Sequence, residues 1–496
     1  MKWFSRIFVS LLWLFSIGFI LAATGLTYSK YEQFNLARIF MPPGSMVAGI
    51  PAGGLDQNQV VIQLVQAYRI PVELHYGDAV IQASPETLGF NLDLTSMLAE
   101  AQLKLTSQPF WDAFWDYLWN RVPGAVVVPL NAQVDEDRIR AFLINEVAAR
   151  YDRPATAALP VVGTVNYQPG KPGTTLEIGP AIPLIQAALR SLTVRTVNLS
   201  SVGVNALPPS IQNLQVQLRQ LLDLSGYEGI AEIYLQDMQT RQELHFAYQK
   251  RKTIPADISF TAASTIKIAI MISTFRRTPE PAPKSVLDNL ARMVEASDND
   301  SADALMKQVM GSTNGPLEVS KDLQALGLKN TFLAGFFYPG APLLKLFNTP
   351  ANQRKDYFID PDPYNQTTPA EIGQLLADIY QCAETGGGPF ATVFLGEISQ
   401  TECKQMIDFL RLNKMPYLIT AGLPDGMPIA HKHGWVTEMD GVVHSFSDAA
   451  LIYTPGGNYV LTVYLWYEEQ LLLNVSNPLT ASLSAAVYNY FNQVKP

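Results

Sequence analysis

Ala262-Ala-Ser264-Thr-Ile-Lys267-Ile-Ala-Ile-Met-Ile272 is the stretch that decides how this chain is read. Apolar residues lie on nearly every face of a helix here, which predicts a buried, central helix. Ser264 and Lys267 are three apart and share one face of that helix. A serine hydroxyl near neutral pH is a poor nucleophile and needs a base within hydrogen-bond reach. Lysine is that base only when burial or a neighbouring cation depresses its pKa. A serine in the first turn also meets free backbone N–H groups and the positive end of the helix dipole, which suit a developing oxyanion. The plainer alternative is a small residue opening a core helix, with Lys267 snorkelling to solvent. The aliphatic surroundings of Lys267 make that an awkward fit.

Two further motifs follow in order. Residues 286–295 carry Val286, Leu287, Leu290, Met293 and Val294 at helical spacing. Ser297-Asp298-Asn299 then breaks the helix, and Asp300 is expected to cap the next one, 301–309. The third motif is Lys432-His433-Gly434-Trp435. Apolar runs at 449–453 and 459–466 come after it, joined by Thr454-Pro-Gly-Gly457, and read as paired strands. Gly434 is expected to let an extended substrate lie against a strand edge, and Lys432 to offer charge to a substrate carboxylate.

With these three motifs in this order, residues 215–496 resemble the class A β-lactamase and penicillin-binding-protein superfamily of serine acyltransferases. The resemblance implies an α+β fold, a β-lactamase-like sandwich whose antiparallel sheet has helices on both faces, with a reduced helical subdomain. It implies Ser264 as the acylated nucleophile, Lys267 as its base, Ser297 as proton relay and Lys432 as the cationic edge-strand residue. Asn299, His433, Gly434 and Trp435 would bind substrate, and the N–H groups of Ser264 and Trp435 would form the oxyanion hole. The implied substrates are β-lactams or D-Ala-D-Ala-like wall peptides.

The chain departs from the family pattern in three places. His433 replaces a hydroxyl residue with a larger, titratable ring. Ser297 lies only 33 residues after Ser264, which predicts a trimmed helical subdomain. No glutamate occurs between Glu318 and Glu371, where class A enzymes place the residue that activates the deacylating water. Asp356, Asp360 and Asp362 are present there without the family's pattern. Acylation is therefore expected to outpace deacylation, and a glutamate installed between about 357 and 365 to restore it.

Thr368-Pro369-Ala-Glu371 and Ser399-Gln-Thr-Glu402 read as capping boxes for two helices. The only cysteines, Cys382 and Cys403, fall near the end of the first and the start of the second. Antiparallel packing would bring them to disulfide distance; two free core thiols are the alternative.

Lys2 and Arg6 precede residues 7–28, which carry no charge and are long enough to span a bilayer. Residues 1–29 are expected to be an uncleaved signal anchor. That gives a single-pass membrane protein with its catalytic domain extracytoplasmic, in the periplasm or at the cell exterior. Residues 30–206 read as small α+β domains, two units at about 42–125 and 126–206, with 207–214 as linker. Met46-Val-Ala-Gly-Ile-Pro-Ala-Gly-Gly54-Leu55 and Leu88-Gly89-Phe90 resemble the wall-associated repeats that precede the core of VanW-like proteins. That resemblance implies peptidoglycan binding through 30–206; a spacer is the alternative. A net charge of −9 argues against nucleic acid as a partner. No phosphate loop or cofactor motif is present. His431, His433 and His444 lack Cys or carboxylate partners at ligand spacing, so no metal is expected. Two functions stand: a membrane-anchored serine acyl hydrolase, or a cell-wall-binding protein that turns over slowly or not at all on the same scaffold.

Overall fold

The structure, a computed structural model, describes residues 2–438 and 440–493. The chain folds into two compact units. The first takes the residues up to Ala155 together with Pro172–Asn205, and the second takes Thr156–Lys171 and everything from Ala206 onward.

In the first unit, α1 (Lys2–Ala37) contains a stretch, Arg6–Ala37, long and apolar enough to cross a membrane. Val72–Tyr76 and Ala79–Ala83 form a hairpin, and Thr196–Asn198 adds to its edge in parallel. Met46–Val47 pairs in parallel with Val127–Val128. Strand pairs thus cross the division that the sequence suggests near residue 125, and one apolar core runs from Met41 to Leu199. The helix Phe110–Leu118 (α2) is an addition to the sequence reading. The hairpin of Leu159–Pro160 and Tyr167–Gln168 belongs to the second unit, where the buried Gln217 side-chain amide donates to the carbonyls of Thr164 and Asn166.

The second unit is a six-stranded antiparallel sheet built from β1 (Ile230–Asp237), β2 (Glu243–Gln249), β3 (Lys252–Ile254), β4 (Ile429–Trp435), β5 (Ser445–Ile452) and β6 (Tyr459–Trp466). Their order is β3-β2-β1-β6-β5-β4, so β4 is an edge strand. The first strand after the third motif starts at Ser445, four residues before the apolar run at 449–453. One face packs on α3 (Ile211–Ser225) and the C-terminal helix Leu473–Phe491. The first turn of α3, capped by Ser210, occupies part of the expected linker. The other face packs on α4 (Lys267–Arg277), α6 (Pro369–Thr385) and α7 (Gln400–Leu410). From Lys267 to Phe275 every residue of α4 is buried, which its all-round apolar sequence requires. The fold is thus the β-lactamase-like α+β sandwich.

Two local expectations are corrected, and one open alternative is resolved. The cap of the helix after Ser297 is Asp298, which accepts from the Ser301 N–H; the helix, α5, runs Asn299–Leu305. Asp300 lies inside it. Ser399 and Glu402 close a full capping box on α7, whereas at α6 only half of one forms. Thr368 accepts from the Glu371 N–H, but the Glu371 carboxylate turns away. It accepts instead from the N–H groups of Lys329 and Asn330, the Asn330 amide and the Thr331 hydroxyl. Cys382 and Cys403 form a disulfide between α6 and α7, with Cα atoms 5.9 Å apart.

Glu371 therefore fixes the start of the loop that leads to the site. Replacing it with alanine leaves those donors unpaired and is expected to cost about 2 kcal/mol in urea unfolding, with Glu371→Gln milder. Equal stability of the alanine variant and the wild type would refute that role.

Candidate active site

Ser264 does not sit in the first turn of an α-helix. It sits in a 3₁₀ turn, Ala263–Ile266, that runs into α4 at Lys267. Ala263 carries a positive φ of 46°, a conformation an alanine holds only when its surroundings impose it. Those surroundings are visible on both sides. The Ala262 N–H donates to the Asn365 carbonyl at 3.2 Å, and the Thr265 hydroxyl donates to the Ala262 carbonyl at 2.6 Å. Ser264 itself is half-buried and opens onto two cavities of about 390 and 920 Å³.

Lys267 has no solvent exposure. Its Nζ lies 2.6 Å from the Ser297 carbonyl, 2.7 Å from Asn299 Oδ1, 3.2 Å from Ser264 Oγ and 3.3 Å from Ser297 Oγ. Burial lowers its pKa to about 8, against the opposing pull of Asp298 and Asp303. A neutral lysine has two N–H bonds and one lone pair. The two short contacts are to acceptors and take both N–H bonds, which leaves the lone pair for the Ser264 hydroxyl.

Lys432 reaches the same place from β4 and is equally buried. Its Nζ donates to Ser297 Oγ at 2.9 Å and to the His433 carbonyl at 3.1 Å. Burial, then the nearby Lys267 charge, hold it well below the ordinary lysine value, with Asp448 opposing. Ser297, held at a φ of 55°, thus has its hydroxyl between two lysine amino groups.

Gly434 is needed for a reason different from the expected one. A Cβ there would lie 3.1 Å from both the Ala262 carbonyl oxygen and the Ser264 nitrogen, and 2.9 Å from Ser447 Oγ. The absence of a side chain lets β4 run against the serine turn and brings Trp435 beside Ser264. His433 stacks on Trp435 with ring centroids 4.8 Å apart. Its Nδ1 lies 3.0 Å from the Asn413 amide nitrogen, and burial drives its pKa down to about 3. With Nδ1 accepting from Asn413, the ring is neutral and carries its proton on Nε2.

Asn413 and Asp303 escape the sequence reading. Asn413 follows α7, far from every motif, and nothing local marks it. Asp303 does have a signal, since it lies four residues beyond Asn299 on one helical face. Its carboxylate accepts from the N–H groups of Phe337 and Tyr338 at 2.8 and 3.0 Å. That fixes the Phe337 ring with its centroid 5.3 Å from Lys267 Nζ. Of the acidic residues considered for the loop, Asp356 is held by Arg354 at 2.7 Å. Asp360 and Asp362 line the larger cavity with Ser264. The Asp362 carboxylate accepts from the Tyr364 N–H and the Asn365 amide, and burial raises its pKa. The loop segment set against Lys267 is thus at Phe337, not within 357–365. One cluster of metal-type side chains occurs among the described residues, Glu232, His245 and Asp257. The Glu232 carboxylate there already accepts from the His245 ring and from the N–H groups of Asp257 and Ile258.

Residues 278–491 match the model of the beta-lactamase enzyme family. The C-terminal domain is β-lactamase-like. The matched span includes Ser297, Asn299 and Lys432 but begins after Ser264 and Lys267, so the nucleophile pair rests on geometry alone. The match supports an enzyme of the serine-hydrolase type. Among solved structures the chain is similar to PBP-A, at 21% identity over 57% of this chain and 97% of that one, TM-score 0.41. It is similar also to an ancestral class A β-lactamase, at 22% identity over 55% and 98%, TM-score 0.39. No curated protein matches the sequence.

If Lys267 takes the serine proton, acylation requires its neutral form. The acylation rate is expected to rise about tenfold per pH unit below pH 8 and to level off above it, following the Lys267 midpoint. Lys267→Ala should keep the fold, by circular dichroism, and lower acylation about 10²-fold or more. A flat profile between pH 6 and about 9 would assign the base elsewhere.

Proposed function

We propose that this protein is a membrane-anchored, extracytoplasmic serine acyl hydrolase that forms an acyl-enzyme on Ser264 with β-lactams or D-Ala-D-Ala-like wall peptides. The observation that carries the reading is the Lys267 environment, in which both N–H bonds of the neutral amine are taken and the free pair faces Ser264 Oγ. Ser264 Oγ attacks the amide carbonyl as Lys267 takes its proton. The N–H groups of Ser264 and Trp435 receive the oxyanion. Ser297 passes a proton to the departing nitrogen, resupplied from the lysines on either side of its hydroxyl. Lys432 and the His433 Nε2–H face the substrate carboxylate. Asn299, whose oxygen is engaged by Lys267, has its amide N–H groups for the acyl side of the substrate.

The apolar α1 supports the anchor, and the Cys382–Cys403 disulfide supports an oxidising, extracytoplasmic compartment. Residues 30–206 would bind peptidoglycan or hold the catalytic domain off the membrane.

Phe337 favours the variant of this reading in which turnover is slow. An aromatic ring facing Lys267 supplies no group that activates water. Incubation with a fluorescent penicillin should label the protein, with the added mass on the peptide holding Ser264, and Ser264→Ala should abolish it. A wild-type chain left unlabelled at high penicillin would replace the enzyme with a wall-binding protein.

A chromogenic cephalosporin should give a burst of one equivalent and a slow steady state. Phe337→Glu should accelerate the steady state, and Asp362→Asn should leave it unchanged. Rapid wild-type turnover with no burst, lost in Asp362→Asn, would make Asp362 the water-activating residue and overturn the slow reading.

A further inference from the structure

We propose that α2 is an interfacial helix that lies in the headgroup layer of the bilayer crossed by α1; this rests on α1 being a membrane span. The sequence of α2 and its next residue, Phe110-Trp-Asp-Ala-Phe-Trp-Asp-Tyr-Leu118-Trp119, holds three of the seven tryptophans of the chain. It presents two apolar stripes. Phe110, Phe114 and Tyr117 face α1, with centroids 5.4, 5.3 and 5.4 Å from the Phe34 ring. Trp111, Trp115 and Trp119 repeat every four residues on the other side and are 67%, 57% and 71% exposed. Packing on α1 therefore does not account for them.

Their position along α1 says what does. The uncharged run ends at residue 28, and α2 packs at Tyr31 and Phe34, about 5 and 9 Å further along the helix axis. The headgroup layer is about 5–8 Å thick on each side of the hydrocarbon, so Tyr31 lies within it and Phe34 at its outer edge. Trp111 also borders a groove of about 510 Å³ along α1, walled by Ala23, Thr24, Thr27 and Tyr28, of a size for an acyl chain. Indole suits this layer because its ring is apolar and its N–H needs a polar partner. Arg38 places its guanidinium over the Phe34 and Phe110 rings, beyond the uncharged run.

The test uses the full-length chain in phosphatidylcholine–phosphatidylglycerol vesicles. Trp3, Trp13, Trp435 and Trp466 are replaced by phenylalanine, so that only the three α2 indoles emit. The proposal expects blue-shifted emission, stronger quenching by lipid brominated near the headgroup than near the chain end, and protection from aqueous iodide. Emission quenched by iodide and not by brominated lipid, in chains that float with the vesicles, would overturn it and leave the anchor standing. Chains that fail to float after an alkaline wash would overturn the anchor itself and the proposal with it. If circular dichroism shows the four-fold variant misfolded, the difference between wild type and Trp111→Phe/Trp115→Phe/Trp119→Phe reads the same indoles.

Discussion

Two lysine side chains without solvent exposure converge on the hydroxyl of Ser297, one from α4 and one from the edge strand β4. Removing an ammonium group from water costs several kcal/mol, and two together repel. The depression of Lys267 from 10.5 to about 8 corresponds to about 3 kcal/mol in favour of its neutral form. The surrounding fold supplies what makes this tolerable. Oxygen acceptors from the Ser297–Asn299 turn receive the Lys267 N–H bonds, and Asp448 stands behind Lys432 on β5, where His431 also contacts its carboxylate at 3.0 Å. The serine turn is pressed against β4, which only a glycine at 434 permits.

The same arrangement is uneven between the two halves of an acyl-transfer cycle. Everything needed to activate a serine surrounds Ser264, whereas the loop facing Lys267 offers the Phe337 ring. Asp303 holds that loop by two backbone N–H groups, and Glu371 holds its beginning by four donors. A loop pinned at both points is a fixed wall of the cleft, so in the proposed mechanism residue 337 bears on the fate of the acyl group.

The candidate constellation is legible in the sequence because each part carries a local mark. Ser264 and Lys267 share a helical spacing, Ser297–Asn299 interrupts an amphipathic helix, and Lys432–Trp435 opens an apolar strand pair. The sheet and the buried α4 follow from the same patterns. What the sequence withheld depends on long-range packing. Asn413 meets His433 only after α7 and β4 are side by side, and the Glu371 carboxylate abandons its capping box for a loop 40 residues earlier. Phe337 has no pattern of its own, which is why the loop reading favoured the aspartates at 356–362. In the first unit, short strands pair across the chain in parallel, as 46–47 does with 127–128, and short-range periodicity carries no information about such partners. α2 was overlooked although its aromatic residues repeat at helical spacing.

The central claim is that Lys267 titrates near 8, so that a substantial neutral fraction exists near physiological pH, because of where it sits. Carbon-13 NMR of the chain labelled at the lysine Cε reads this without substrate, with the resonance assigned by its loss in Lys267→Ala. The account predicts a titration midpoint near 8 for Lys267, because burial disfavours its charged form. A midpoint at about 10.4, the ordinary lysine value, would contradict it.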